Sequence, residues 1–272
     1  MQYLAIFGVP RSGTSWLGQL FNSSSHVAYR YQPLFSYAFK NRLDEHSEVE
    51  DIKAFHEDLL KTDDEFVLQK QNISGNETPE FEKSEITHLV WKEVRYLHII
   101  ENLLLQSDIK IIGLVRHPCA VIYSWYNAPR EFDPDWNVMK EWKSAPKKNR
   151  GRKEEFFGYE KWKEATQSFI QFQKQFPESF YLQVYEDLTA YPKRELKKLF
   201  KFSNLPFDKQ TANFVDRSTQ IQSRDPYDVF RKGKTGYEWI GKLDEQIVNY
   251  ILKDDDFIRI AGKIGWKTPG KE

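Results

Sequence analysis

Gly8-Val9-Pro10-Arg11-Ser12-Gly13-Thr14-Ser15-Trp16 follows a short apolar run, Tyr3-Leu4-Ala5-Ile6-Phe7, and is followed by Leu17-Gly18-Gln19-Leu20-Phe21. The run before it has strand length, and the apolar residues after it fall at helical spacing. A strand, a tight loop with two glycines and a helix opening on Thr14 and Ser15 make a phosphate cradle. Loop amides can turn toward one point, and the helix N-terminus adds partial positive charge there. The spacing is that of a Walker A loop, G-x-x-x-x-G-K-[ST], except that Thr14 stands where that loop has its lysine. An ATPase or GTPase needs the lysine on the β- and γ-phosphates, so Thr14 argues against that chemistry. Arg11 is the cation left inside the loop to do a comparable job. The plainer alternative is that Gly13 closes a turn and Ser12 or Thr14 caps a helix.

The chain has 272 residues, enough for one large α/β domain with a sizeable core. Its 40 basic and 40 acidic side chains cancel, so bulk charge gives no case for nucleic acid or an anionic membrane as partner. The charge is unevenly placed: Asp44 to Glu65 is mostly acidic and Lys140 to Lys163 mostly basic. Aromatic residues make up 15%, which fits a protein that stacks bases or sugar rings. The one cysteine, Cys119, excludes an intrachain disulfide and reads as a small buried apolar residue. With no leader-like segment and no apolar stretch near the roughly 18 residues that span a membrane, the expectation is a soluble cytoplasmic protein.

Further along, His26–Tyr31 reads as a second strand and Phe35–Leu43 as a helix. Asp51–Leu60 reads as a surface helix with Ile52, Phe55, Leu59 and Leu60 on one face. Residues 70–85 read as a loop. Ile86–Lys92 is a third strand, Arg95–Gln106 a helix, and Lys110–Val115 a continuous apolar run of the kind buried on both faces of a parallel sheet. Pro118 sits where a helix starts and Ala120–Trp125 continues it. Pro129–Glu155, with four prolines or glycines and a basic cluster, reads as an exposed, mobile insertion. Tyr159–Phe176 is helical, Phe180–Tyr185 a strand, Pro192–Phe202 a helix and Leu243–Leu252 the last helix. Strands alternating with helices predict a mostly parallel sheet of P-loop type flanked by helices on both faces, in a single domain over residues 1–272.

Three more stretches carry chemistry. Val115-Arg116-His117-Pro118 ends the buried strand and starts a helix, the place where open α/β sheets bind ligands. Ser124 follows Arg116 by about two helical turns, and a guanidinium bonds phosphate oxygens bidentately. Tyr185-Glu186-Asp187-Leu188 closes a later strand, and Arg231-Lys232-Gly233-Lys234-Thr235-Gly236 is a basic glycine turn. Each alone has a bland reading: a strand-end arginine, a core tyrosine, a solvated basic turn.

Taken in order, the four motifs resemble those of sulfotransferases that use 3′-phosphoadenosine-5′-phosphosulfate (PAPS), and they cover nearly the whole chain. The resemblance is to the carbohydrate branch, in a soluble bacterial-type member. It implies that Arg11, Ser12, Gly13, Thr14 and Ser15 bind the 5′-phosphosulfate, and that Trp16 stands on the adenine side. Arg116 and Ser124 would hold the 3′-phosphate, Tyr185 would contact adenine, and Arg231, Lys232 and Gly233 would close over the 3′-phosphate. It implies PAPS as co-substrate, 3′-phosphoadenosine-5′-phosphate (PAP) as product, and no metal. The implied acceptor is a hydroxyl, or an amine, of a glycan or glycolipid.

Sulfuryl transfer builds charge on the bridging oxygen of the leaving phosphate, and Arg11 is placed to stabilise it. A base should take the acceptor proton. Carbohydrate-type members often carry Glu before Pro after the loop, but Tyr31-Gln32-Pro33 has Gln, which cannot accept a proton. Glu93, at the end of the third strand between Lys92 and Arg95, is the substitute, with a strand-end ion pair as its bland reading and His88 as an alternative. Two rivals stay open: a small-molecule kinase using Mg²⁺ and ATP, and a nucleotide-binding protein without catalysis.

Overall fold

β1 (Gln2–Phe7) is the central strand of one five-stranded sheet that also holds β2 (Val27–Tyr31), β3 (His88–Glu93), β4 (Lys110–Val115) and β5 (Phe180–Val184). The order is β2-β3-β1-β4-β5 and every pairing is parallel. The computed structural model describes residues 1–70, 79–221, 225, 227–230 and 235–266. The helices are α1 (Thr14–Asn22), α2 (Val49–Lys61), α3 (Ile100–Gln106), α4 (Pro118–Tyr126), α5 (Val138–Glu141) and α6 (Pro146–Asn149). After them come α7 (Tyr159–Gln175), α8 (Tyr185–Ala190), α9 (Pro192–Phe202), α10 (Lys209–Gln220), α11 (Glu245–Lys253) and α12 (Asp255–Ile264).

Strand alternation sorts the core into two layers. Leu4, Ile6, Val90, Ile112 and Leu114 face one side, where Trp16, Leu17 and Leu20 of α1, Leu196 and Leu199 of α9 and Phe214 of α10 cover them. Ala5, Phe7, Leu89, Trp91, Ile111 and Val115 face the other, under α2, α3, α4, α7, α11 and α12. Helices on both faces of a parallel sheet are what the alternating pattern predicted. Phe7 pairs with both Glu93 and Gly113, so β1 and β3 end level while β4 runs on to Val115. The chain leaves β1 toward β3 and β2, and returns to the other side for β4 and β5. The crevice beyond β1 and β4 is therefore the switch point of the sheet, where such folds take ligands.

Three readings need correction. Phe35–Leu43 is not a helix: a 3-10 turn at Pro33–Phe35 follows Gln32 at φ 41°, and Ser36 is extended. The Ser36 hydroxyl accepts from the Phe39 amide at 3.3 Å, a local bond that competes with helix. Pro129–Glu155 is exposed along much of its length, as read, but it is anchored to the core and carries two short helices, α5 and α6. Phe132, Ala145 and Phe157 form a small core with Trp125, and the Asn149 side chain exchanges hydrogen bonds with both backbone groups of Phe157 at 2.9 and 3.2 Å. Its aromatic residues bury enough surface to fix a segment that its prolines and glycines marked as loop. Among the described residues the last helix is α12, not α11, and α10 was also missed. Asp208 caps α10 by accepting from the Thr211 amide at 2.7 Å, and Asp254 caps α12 through the Asp256 amide. No helix among the described residues is long and apolar enough to cross a membrane.

Candidate active site

The loop between β1 and α1 is shaped by two close approaches. A Cβ on Gly8 would sit 2.7 Å from the Leu114 carbonyl oxygen of β4. Gly13 has φ 96°, and a Cβ there would lie 2.5 Å from the Tyr185 ring. Both the left-handed backbone and the ring exclude a side chain. Gly13→Ala is therefore expected to cost at least about 2 kcal/mol, read as a lower midpoint in thermal or urea unfolding; an unchanged midpoint would contradict this geometry. The first α1 bond runs from the Leu17 amide to the Gly13 carbonyl. The amides of Thr14, Ser15 and Trp16 thus have no acceptor within the helix and carry its positive end.

Arg11 also has positive φ, at 74°. Its Nε donates to Ser124 Oγ at 3.1 Å, its Nη1 lies 3.5 Å from Glu131 Oε1, and its guanidinium stands 5.1 Å from the Tyr227 ring centroid. Arg116, leaving the end of β4, donates from Nη1 to the Arg11 carbonyl at 3.1 Å and from Nη2 to Glu238 Oε2 at 3.3 Å. It lies 4.6 Å over the Tyr185 ring, and its buried Nε has no hydrogen-bond partner among the described residues. A donor so placed beside the α1 N-terminus suits a phosphate oxygen. The two arginines, predicted from separate motifs, are thus joined in one site.

His117 caps α4, with its Nδ1 accepting from the Cys119 amide, and its own amide donates to Glu186 Oε1 at 3.0 Å. Burial, aided by neighbouring Arg116, pushes the His117 imidazole down to about 3, so it is neutral and structural. Trp239 stacks on it at 4.9 Å. Burial lifts Glu186 to about 7. These contacts fix the backbone from which Arg116 projects.

A cavity of about 470 Å³ opens over the carboxyl ends of β1, β3 and β4. Arg11, Gly13, Thr14, Ser15, Arg116 and Ser124 all line it. Ser12 lies beneath the loop, fully buried, with its amide bonded to the Val9 carbonyl at 3.1 Å. Trp16 and Tyr185 are fully buried and do not reach the cavity. Trp16 Nε1 instead donates to Ser218 Oγ on α10 at 3.1 Å, and its ring meets Tyr185 edge-on at 6.2 Å. Arg231, Lys232 and Gly233 lie outside the described residues.

Glu93 is the site residue that the fold turns away. On β3 it alternates with Lys92, so Lys92 projects on the α1 side into the cavity and Glu93 projects to the opposite layer. Glu93 is fully buried, does not line the cavity, and accepts from the Leu34 amide at 2.7 Å. Burial pushes its carboxyl up while Lys92 draws it down. His88 lies at the amino end of β3, bonded to the Ser203 carbonyl at 2.9 Å and remote from the loop. Gln32, expected at the site, does line the cavity, and its amide donates to the Lys92 carbonyl at 2.9 Å.

Sequence reasoning missed Glu131 and Lys92. Glu131, just after α4, lines the cavity and holds Arg11; its Oε2 is buried and makes no hydrogen bond among the described residues. Lys92 is buried with its ammonium 4.3 Å from the Tyr31 ring centroid, and burial pushes its pKa down. Strand parity set Lys92 and Glu93 on opposite faces without saying which faces the loop. Nothing in the segment around Glu131 announced that it folds back onto the loop.

The model of the sulfotransferase domain matches residues 2–245, and the chain belongs to that family. No curated protein matches it in sequence. Among solved structures, it resembles the sulfotransferase domain of the curacin biosynthetic pathway at 19% identity and TM-score 0.53, covering 98% of this chain and 99% of that one. It resembles the sulfotransferase domain of the Synechococcus olefin synthase at 19% identity and TM-score 0.55, covering 99% and 96%. A mouse sulfotransferase complexed with PAP is similar at 14% identity and TM-score 0.55, covering 96% and 88%. At these identities the structural likeness shows the fold. The family match makes the protein a sulfotransferase.

Proposed function

We propose that the chain moves a sulfuryl group from PAPS to a hydroxyl of a carbohydrate acceptor and releases PAP. The observation that carries this reading is the convergence of the α1 N-terminus, Arg11, Arg116 and Ser124 on one cavity at the switch point. The Thr14 and Ser15 amides and Gly13–Ser15 of the loop receive the 5′-phosphate, with Ser12 kept in that role on the resemblance alone, and Arg116 with its unfilled Nε receives the 3′-phosphate. Ser124, which now positions Arg11, shares in that phosphate. Tyr185 supports the arginine and the loop from below, rather than stacking on adenine, and Trp16 fixes α1 against α10. Arg231, Lys232 and Gly233 are kept as the closing segment on the resemblance alone.

In the transfer, an acceptor oxygen forms the new bond to sulfur as the bridging sulfur–oxygen bond breaks, with that electron pair passing to the phosphate of PAP. Arg11 stabilises the charge on the bridging oxygen, and Lys92 adds a second positive charge on the cavity floor. Glu131 takes the acceptor proton, in place of Glu93: it is the carboxylate that lines the cavity beside Arg11. Glu131→Gln is expected to lower kcat by about 100-fold or more with little change in PAP affinity, whereas Glu93→Gln should retain turnover. Loss of turnover in Glu93→Gln alone would reverse the assignment.

The Gln32-Pro33-Leu34-Phe35 stretch and the aromatic residues in the wall, Phe35, Phe66, Phe157 and Tyr227, support a sugar as acceptor. The reading needs no metal, and it treats the chain as one domain working in the cytoplasm, with Cys119 buried and free. The test is transfer from radiolabelled PAPS, without added divalent metal, to panels of glycans and phenols. Labelled glycan supports the reading; label on phenols alone would move the acceptor out of the carbohydrate class.

A further inference from the structure

Past Arg11 the cavity continues to a wall that the nucleotide reading leaves unused. Arg95 and Lys148 line it there, the guanidinium 4.1 Å over the Phe35 ring and the ammonium 4.7 Å from the Phe157 ring centroid. Arg95 is already matched, since its Nε donates to buried Glu155 at 3.0 Å. Lys148 is different. Among the described residues its ammonium has no carboxylate at ion-pair distance and no hydrogen bond, and its charged surroundings are Glu131, Arg95, Glu155 and Arg152. Lys92 repeats the pattern on the floor: 1% exposed, lining the cavity, with an aromatic ring as its neighbour and no ion pair among the described residues.

An ammonium withdrawn from water without an ion-pair partner is costly, and contact with a ring offsets only part of that cost. Burial lowers the pKa of both lysines, against the opposing pull of Glu93 and Glu131 on Lys92 and of Glu131 and Glu155 on Lys148. A ligand anion at the Lys148 ammonium supplies the contact it lacks, and the exposed Phe35 ring offers a surface for a sugar ring.

We propose that the acceptor is itself anionic, a sugar bearing a carboxylate or sulfate near the hydroxyl that is modified, and that Lys148 holds this anion at the cavity wall it shares with Arg95 and Phe157. The inference rests on the functional reading above and narrows its acceptor class. It follows from an aromatic-backed lysine without a partner facing a cavity part of which is assigned to the nucleotide.

The test uses the full chain saturated with PAP and two probes that differ in one group, para-nitrophenyl β-glucuronide and para-nitrophenyl β-glucoside. The glucuronide is expected to bind about tenfold more tightly or better, with a preference that weakens in high salt. Lys148→Gln should remove most of that preference and leave PAP affinity unchanged. Equal affinity for the two probes, no measurable glucuronide binding at millimolar concentration, or a preference intact in Lys148→Gln each overturns the proposal. PAP affinity is measured first on the same samples. Absence of PAP binding would sink the functional reading and this inference with it, whereas PAP binding without a glucuronide preference would sink this inference alone.

Discussion

Arg116→Ala is expected to weaken PAP binding by about 30- to 100-fold, or roughly 2 to 3 kcal/mol, the range for charged hydrogen bonds to phosphate. Binding of 5′-AMP, which lacks the 3′-phosphate, should change much less. The guanidinium is committed before any ligand arrives: Tyr185 lies beneath it, the Arg11 carbonyl takes Nη1, and Glu238 takes Nη2. Its Nε is left over and buried. A phosphate gains a pre-oriented fork at little cost in side-chain entropy. The substitution also removes the Glu238 partner, so the AMP control separates lost phosphate recognition from a disturbed site. Equal losses for PAP and AMP would mean that Arg116 is structural.

Arg11→Ala is expected to act on the other parameter. Turnover should fall by about 100- to 1,000-fold, the usual effect of removing one donor aimed at developing charge, while PAP affinity changes by less than about tenfold. The loop places this side chain by a left-handed backbone at φ 74° and by bonds to Ser124 and Glu131. Those contacts hold the guanidinium beside the cavity rather than in solvent. Arg11→Lys keeps the charge and loses the fork, so it should recover only part of the rate. A fall in PAP affinity as large as the fall in turnover would place Arg11 in ground-state binding instead.

The sequence made the strands and the phosphate loop legible because their signals are local. Lys110–Val115 is a strand with the bounds read from its apolar run, and Pro192–Phe202 is a helix with the bounds read from its proline and periodicity. The loop residues and Arg116 with Ser124 were found by spacing, and the fold brings them to one cavity because β1 and β4 are neighbours at the switch point. What was misread depended on partners distant in the chain. Phe35, Phe39 and Leu43 recur at helical spacing, but Gln32 and Ser36 bend the backbone, and Phe39 and Leu43 are buried without a helix. The 129–155 segment carries prolines that mark turns and aromatic residues that pack under α4 and α7; only the structure decides between them. Glu93 was chosen for its charge and its place near a strand end. Strand parity put Lys92 and Glu93 on opposite faces, but the unbroken apolar run Leu89-Val90-Trp91 could not say which face looks toward the loop; the packing layers decide it.

The central claim is that Arg11, Arg116 and the α1 N-terminus form a site for a nucleotide phosphorylated at both 3′ and 5′ positions. Calorimetric titration of the full chain with PAP, with 5′-AMP, and with ATP plus Mg²⁺ tests it most directly. The account predicts that PAP binds tightest, without metal, and at least about 30-fold more tightly than AMP, the 3′-phosphate supplying the difference. Equal affinity for PAP and AMP, or a preference for ATP with Mg²⁺, would contradict it.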